Sequence, residues 1–171
     1  MKRKQIFRYS ITFGLLAGLG CFLFFVAMYF TKSDPLSLRR PDIGINIILI
    51  WAAIWYFKRN NGGYLHFYEG FSIGFLTNII AALVSGILVY LFIEFIDAKP
   101  FTEWMVNGKA LLIKDKEMFQ KMLNEKSYRQ SLLSFDNQKH SVIIYDDLMF
   151  KQVAIIAISL FSMAMRKIQN L

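Results

Sequence analysis

The sequence predicts an all-α integral membrane protein: a four-helix bundle with an extracytoplasmic amphipathic helical segment between spans 3 and 4. Three observations carry that expectation. First, the chain of 171 residues is 56% hydrophobic without counting glycine, and 17 of its residues are Phe; a soluble domain is about 45–50% apolar with glycine included. Second, this excess, which raises the mean hydropathy to +0.40, falls into runs long enough to cross a bilayer. Third, the formal net charge of +8 gathers in segments that four crossings place on one side, as in oriented membrane proteins. The same charge in a soluble chain would suggest nucleic acid; with these runs the expected partner is the lipid bilayer, with no nucleic acid.

The whole chain, 1–171, reads as one polytopic membrane domain with spans at about 9–30, 42–58, 69–96 and 147–168 and an extracytoplasmic segment at 97–146. The basic stretch Lys2, Arg3, Lys4, Arg8 precedes the first span. Residues 9–30 reach about 33 Å as a helix, enough for a hydrocarbon core of about 30 Å. This run is too long for the apolar part of a cleaved signal and reads as a signal anchor. The lone Cys21 follows Leu19-Gly20, but lipid attachment there would cut the span in its middle. A single cysteine also excludes an internal disulfide and a cysteine-built metal site.

Ser33, Asp34, Pro35 and Pro41 break the helix and mark a turn outside the membrane. The second apolar run is the shortest. It is completed by Pro41 at its start and a snorkelling Lys58 at its end, and Trp51, Trp55 and Tyr56 crowd its C-terminal half as an interfacial belt. Lys58-Arg59-Asn60-Asn61-Gly62-Gly63 is a basic turn. The third span, about 42 Å long as a helix, exceeds the membrane and must tilt or protrude. Between spans 3 and 4, Met118, Phe119, Met122, Leu123, Leu132 and Leu133 recur at helical spacing among charges. They predict one or two amphipathic helices on the membrane or the bundle. Asp146 or Asp147 is placed to cap the fourth helix, with Arg166 and Lys167 in its last turn.

Four crossings put the N-terminus, residues 58–69 and the C-terminus together, with eight basic residues against Glu69 alone. The first loop on the other side has Lys32, Arg39 and Arg40 against Asp34 and Asp42, and residues 97–147 balance eight bases with eight acids. The acid-free N-terminus and the basic turn after span 2 set the orientation as N-in/C-in.

The segment Gly62-Gly63-Tyr64-Leu65-His66-Phe67-Tyr68-Glu69-Gly70-Phe71-Ser72-Ile73-Gly74 resembles a bacterial membrane family catalogued as domain of unknown function 4199. There, a basic N-terminus and two spans precede a Gly-Gly-aromatic-x-x-Phe segment. A glycine-containing third span, a proline, an amphipathic segment and a last span follow. The resemblance covers nearly the whole chain, with one departure: an Ile-x-Pro after the third span is here Ile96-Asp97-Ala98-Lys99-Pro100. It implies the topology and carries no activity or functional residues.

Candidate sites follow from what is costly in lipid. Gly70, Gly74, Asn78, Ala82 and Gly86 form a row at i+4 on the third span, and Ser10, Gly14 and Gly18 form one on the first. Small residues at this spacing let helix backbones approach. The two rows are expected to touch each other; a homodimer through the third span is the alternative. Beyond the first residues of the spans, Glu94 is the one carboxylate inside an expected span. It reads either as an interfacial acid or as a proton- or cation-handling group with Lys151 as counter-ion. Asn78 lies deeper, with Asn46 as its expected hydrogen-bonding partner. His66 and His140 fall on opposite sides and cannot share a metal. The sequence has no phosphate loop, nucleophile elbow or HExxH. No catalytic residue, metal or cofactor is expected. The expected role is an accessory, interaction or assembly component of the inner membrane. Its partner would be a membrane or periplasmic protein, met through residues 101–135. The alternative is a small oligomeric transporter or channel subunit using Glu94 and Asn78.

Overall fold

The computed structural model describes residues 2–31, 34–36, 42–122 and 124–168. Lys32, Ser33, Arg39, Arg40 and Pro41 of the expected first turn, and Leu123 of the expected amphipathic face, lie outside the described residues. Those described form eight helices: α1 (Lys2–Phe30), α2 (Asp42–Asn60), α3 (Phe67–Phe95), α4 (Lys99–Lys114), α5 (Lys116–Met122), α6 (Glu125–Asp136), α7 (Val142–Lys151) and α8 (Ala154–Ala164).

Three helical stretches are long and apolar enough to cross a membrane: Arg3–Phe30, Phe67–Phe95 and, with α7 and α8 taken together, Val142–Ala164. The expected second span is α2. Its 19 residues begin at Asp42 and end in Lys58 and Arg59, and it is not among the three. These charges suit the helix ends they occupy, since a carboxylate favours the N-terminal and cations the C-terminal end of the dipole.

α3 is the axis of the molecule, packing against α1, α2, α7 and α8. Ser10 meets Ile73, while Gly14 and Gly18 meet Ile80 and Val84, so α1 and α3 run parallel. Asn46 meets Asn78, and Ile50 meets Gly74, so α2 runs antiparallel to α3. One helical turn before Asn46, Asp42 therefore lies near the level of Ala82, close to the middle of α3. The helix expected to cross beside α3 starts halfway along it. Leu36, by contrast, is buried at the far end of α3 with Phe25, Phe92 and Phe101.

The last apolar helix starts at Val142 rather than at Asp147, and it is interrupted. Asp147 lies inside α7, 1% exposed, which overturns its reading as an N-cap; Ser141 precedes the helix instead. At Gln152–Val153 the backbone tightens. Gln152 N–H donates to Met149 O, Val153 to Phe150 O, and Ile155 to Gln152 O. These i→i+3 bonds are those of a 3₁₀ turn. Because the Ile155 N–H is used this way, the Lys151 carbonyl loses its ordinary helical donor. Arg166 and Lys167 fall after the helix, not in its last turn. Lys167 pairs with Leu65 through two backbone hydrogen bonds of 2.9 Å, tying the tail to the turn between α2 and α3. That turn reverses through Gly62 (φ 66°) and Gly63 (φ 83°), a backbone region costly for residues with a Cβ.

The segment between α3 and α7 forms three helices, where one or two were expected. α4, which the sequence periodicity did not reveal, is the longest. Asp115 and Asn124 separate the three; the Asn124 side chain caps α6 by accepting from Ser127 N–H at 2.8 Å. α4 and α6 pack on each other, with Tyr128 buried and its hydroxyl donating to Leu112 O. Phe101 anchors α4 in the apolar cluster of Phe25, Leu36 and Phe92.

Candidate functional site

Two apolar clusters divide the helical core. One contains Ile50, Ile54, Phe57, Ile73, Ala154 and Ile158. The other contains Phe25, Leu36, Val89, Phe92, Ile93 and Ile143. Between them, on α2, α3 and α7, lie buried polar side chains: Asp42 and Asn46 of α2, Thr77, Asn78 and Ser85 of α3, and Asp147 and Lys151 of α7. This layer is the candidate site.

Its geometry follows from helical spacing. Asp147 and Lys151, four residues apart, share a face of α7; Asn78 and Ser85, seven apart, share one of α3. Lys151 Nζ donates to Asp147 Oδ1 at 2.7 Å, Ser85 Oγ at 2.8 Å and Asp42 Oδ2 at 3.2 Å. Ser85 Oγ in turn donates to the other Asp147 oxygen. Lys151 has no exposed surface and Asp42 has 2%, so each charge depends on the others. Isolated, any one would cost several kcal/mol to bury. The break after α7 joins the same network, because Asn78 Nδ2 donates to the freed Lys151 carbonyl at 3.0 Å. Asn46 Nδ2 donates to Asn78 Oδ1 at 2.6 Å. Among the described residues, Asn46 Oδ1 and Thr77 Oγ1 are buried without a hydrogen-bond partner.

Chemically, the layer sets a lysine between two carboxylates, with a hydroxyl bridging lysine and acid. Such groups are costly at membrane depth and mark functional or specificity-setting positions. Among the described residues no three His, Cys, Asp or Glu side chains converge on a point.

The residues singled out from sequence fall into separate places. Asn78 is in the layer with Asn46. Lys151 is also there, but it is not the counter-ion of Glu94. Glu94 stands at the far end of α3, 41% exposed at its side chain, and its Oε2 lies 2.7 Å from His140 Nδ1. His66 precedes the opposite end of the same helix.

The two small-residue rows do not meet. Gly14 and Gly18 pack against Ile80 and Val84 of α3. Gly70 faces Ser162, Gly74 faces Ile158 and Ile50, and Gly86 faces Ile144; Ala82 is buried. Rows on parallel neighbours can each face a helix, yet not each other, when α3 turns different sides to α1 and to α7–α8.

Asp42, Ser85 and Asp147 escaped sequence reasoning. The available signal was Asp147-Leu148-Met149-Phe150-Lys151, an i,i+4 ion pair inside an apolar helix. The aspartate was instead assigned to the cap because aspartates favour helix starts.

At the C-terminal end of α3, Asp97 closes the junction between α3 and α4. Its carboxylate accepts from Lys99 N–H at 2.9 Å and from Tyr29 O–H at 2.8 Å. The Lys99 N–H, and after it the Tyr29 hydroxyl, hold the Asp97 carboxyl below its usual range.

A family model described as "Protein of unknown function (DUF4199)" matches residues 12–167. The chain belongs to this family. No curated protein and no solved structure matches it. The family stretch includes every residue of the buried layer, both left-handed glycines and the Leu65–Lys167 pairing, which lies at its C-terminal boundary. The Asp97 junction, where this chain departs from Ile-x-Pro, lies within it too. There Asp97 supplies the N-terminal hydrogen bond of α4, immediately before Pro100, a residue without an N–H to satisfy.

Proposed function

We propose that this protein is a non-enzymatic accessory or assembly component of a bacterial inner membrane, oriented N-in/C-in. It would engage a membrane or periplasmic partner through α4–α6. The observation that carries this reading is the exposed apolar surface of that segment. Val106, Leu111, Ile113, Met118, Met122 and Leu133 all face outward, Met122 at 74%. Lys109 pairs with Asp136 at 2.6 Å and Phe135 closes over Gly108, so α4 and α6 present a defined surface.

α2 supplies the second crossing. Leu36 lies in the cluster of Phe25 and Phe92, and Phe57 in that of Ile50 and Ile73, towards opposite ends of α3. Non-helical backbone at membrane depth is tolerated where protein buries it, and Pro35 and Leu36 are buried. Labelling of single cysteines at Asn61 and Asn137 in intact cells tests the topology; N-in/C-in requires that only the second react with an impermeant reagent. Deleting residues 104–135 tests the role. Loss of co-purifying partners with retained membrane insertion is expected, and an unchanged partner set would end the proposal.

One observation favours a second reading, an oligomeric transporter or channel subunit: the buried polar layer, containing Asn78, sits at a helix break near the middle of α3. Broken helices that expose carbonyls beside ionisable groups are a recurring transporter design. Glu94→Gln discriminates. A transporter that depends on this acid loses activity with intact expression, whereas an interaction component tolerates the change.

A further inference from the structure

The ends of α1 and α3 remote from Glu94 enclose a cavity of about 400 Å³, within the size range of small-ligand sites. Its lining is graded. Arg3 and Tyr68 stand nearest the helix ends, Phe7 and Ser72 about one turn further along, and Leu76 a turn beyond. The two helices run parallel and both are long and apolar enough to cross a membrane, so the grading runs from headgroup level towards the hydrocarbon. Arg3 is exposed and makes no hydrogen bond or ion pair to another described residue. The neighbouring carboxylate is already engaged by the fold: Glu69 is 1% exposed, and its Oε2 accepts from the His66 N–H at 2.9 Å.

We propose that this cleft is a binding site for one anionic glycerophospholipid, with the Arg3 guanidinium on the headgroup phosphate and an acyl chain along Phe7 and Leu76. A guanidinium fits phosphate oxygens with paired hydrogen bonds. Basic pockets between membrane helices recognise acidic headgroups in this way. A zwitterionic lipid would bring an amine or choline that finds no unengaged acid here, since Lys4 and Arg8 on the same helix are also basic. A free phosphate would leave the apolar wall uncovered. The site is independent of α4–α6 and of the partner proposed above.

The test is native mass spectrometry of the full chain in a mild non-ionic detergent, titrated separately with palmitoyl-oleoyl phosphatidylglycerol and phosphatidylcholine. One phosphatidylglycerol should be retained at roughly ten-fold lower concentration, the scale of one charge-assisted hydrogen-bonded contact. Arg3→Gln should abolish the preference, while Lys4→Gln, outside the cavity, should keep it. Leu76→Trp, which fills the apolar end and leaves Arg3 in place, should lower phosphatidylglycerol retention several-fold in a protein of unchanged helicity. Equal retention of the two lipids by the unmodified chain would overturn the proposal. So would equal losses in Arg3→Gln and Lys4→Gln, which would mean general surface charge, or displacement of the lipid by millimolar inorganic phosphate, which would mean an anion site without a lipid.

Discussion

Lys151 Nζ lies 3.2 Å from Asp42 Oδ2, across 109 residues of chain, and so joins the interrupted last helix to the first turn of α2. Asp147 and Ser85 complete its surroundings at 2.7 and 2.8 Å. Because all of these groups are buried, the interaction is asymmetric: keeping it contributes modestly, and losing one member is severe.

Lys151→Met should therefore destabilise the protein by about 3–5 kcal/mol, because it removes the buried cation that lies between two carboxylates. Adding Asp42→Asn and Asp147→Asn to the same chain should restore a large part of that loss by lowering the buried negative charge. Thermal unfolding in detergent, followed by circular dichroism, reads both. A triple variant no more stable than Lys151→Met would argue against charge burial as the cause.

The Asn46–Asn78 hydrogen bond of 2.6 Å can be isolated by a double-mutant cycle. Asn46→Ala, Asn78→Ala and their combination should show a coupling of about 0.6 kcal/mol and no more than about 1.7, the range measured for hydrogen bonds between membrane helices. Asn78→Ala should cost more than Asn46→Ala, since it also deprives the Lys151 carbonyl of its donor.

Glycine substitutions should separate close packing from open space. A Cβ on Gly74 would stand 2.7 Å from Ile158 Cγ2 and 3.3 Å from Ile50 Cγ2, whereas one on Gly44 would meet nothing within 4 Å. Gly74→Ala is expected to cost about 1–3 kcal/mol through overpacking. Gly44→Ala should be neutral or stabilise by up to about 1 kcal/mol through helix propensity. Melting temperatures of the two variants, measured side by side, check the contrast.

Helix register can be checked chemically. In a Cys21→Ser background, cysteines at Gly14 and Ile80 should form an intramolecular bridge on mild oxidation, because a Cβ added at Gly14 would stand 2.7 Å from the Ile80 Cβ, so that a helix shift of about 1 Å gives the usual disulfide spacing. Cysteines at Gly14 and Gly74 should not, since Gly74 faces Ile158. Efficient bridging of the second pair on mobility-shift gels would contradict the arrangement of α1 on α3.

Asp97 gives a pH dependence of known sign. Its carboxyl is held below the usual range by the Lys99 N–H and the Tyr29 hydroxyl. Its contribution is therefore present above the unfolded value of about 3.9, and is lost as pH falls through the lower folded value. The start of α4 should loosen as pH falls below about 4, read by the fluorescence of Trp104, which packs near Phe101. Asp97→Asn should flatten that transition; a transition unchanged in the variant would assign it to another acid.

Much of the architecture is legible in the chain. The apolar stretches at α1, α3 and α7–α8 declare themselves by length, and the Gly62-Gly63 reversal by composition. The charge steps at Lys58 and Arg59 mark the end of α2. The site is legible only in part. Asn78 and Lys151 stand out as polar residues in apolar surroundings, but the partner assigned to Lys151 was Glu94, at the exposed end of α3. Asp42 and Asp147 look like helix-end residues when their neighbours alone are considered, because aspartates favour helix starts wherever those starts lie. Asp42 does begin a helix; what the local pattern cannot convey is that this helix begins near the middle of α3.

By itself, then, the sequence determined the all-helical class, the presence of apolar runs of membrane-crossing length at α1, α3 and α7–α8, and the Gly62-Gly63 turn. Run length, periodicity and turn chemistry are properties of neighbouring residues. Only the tertiary structure decided that Lys151 meets Asp42 and Asp147, that the glycines of α3 face α7 and α8 while Gly14 and Gly18 of α1 face Ile80 and Val84, and that the last helix breaks after Lys151. These depend on how far each helix slides and turns against α3, and shifting an antiparallel neighbour by one turn would give every buried polar group a different partner.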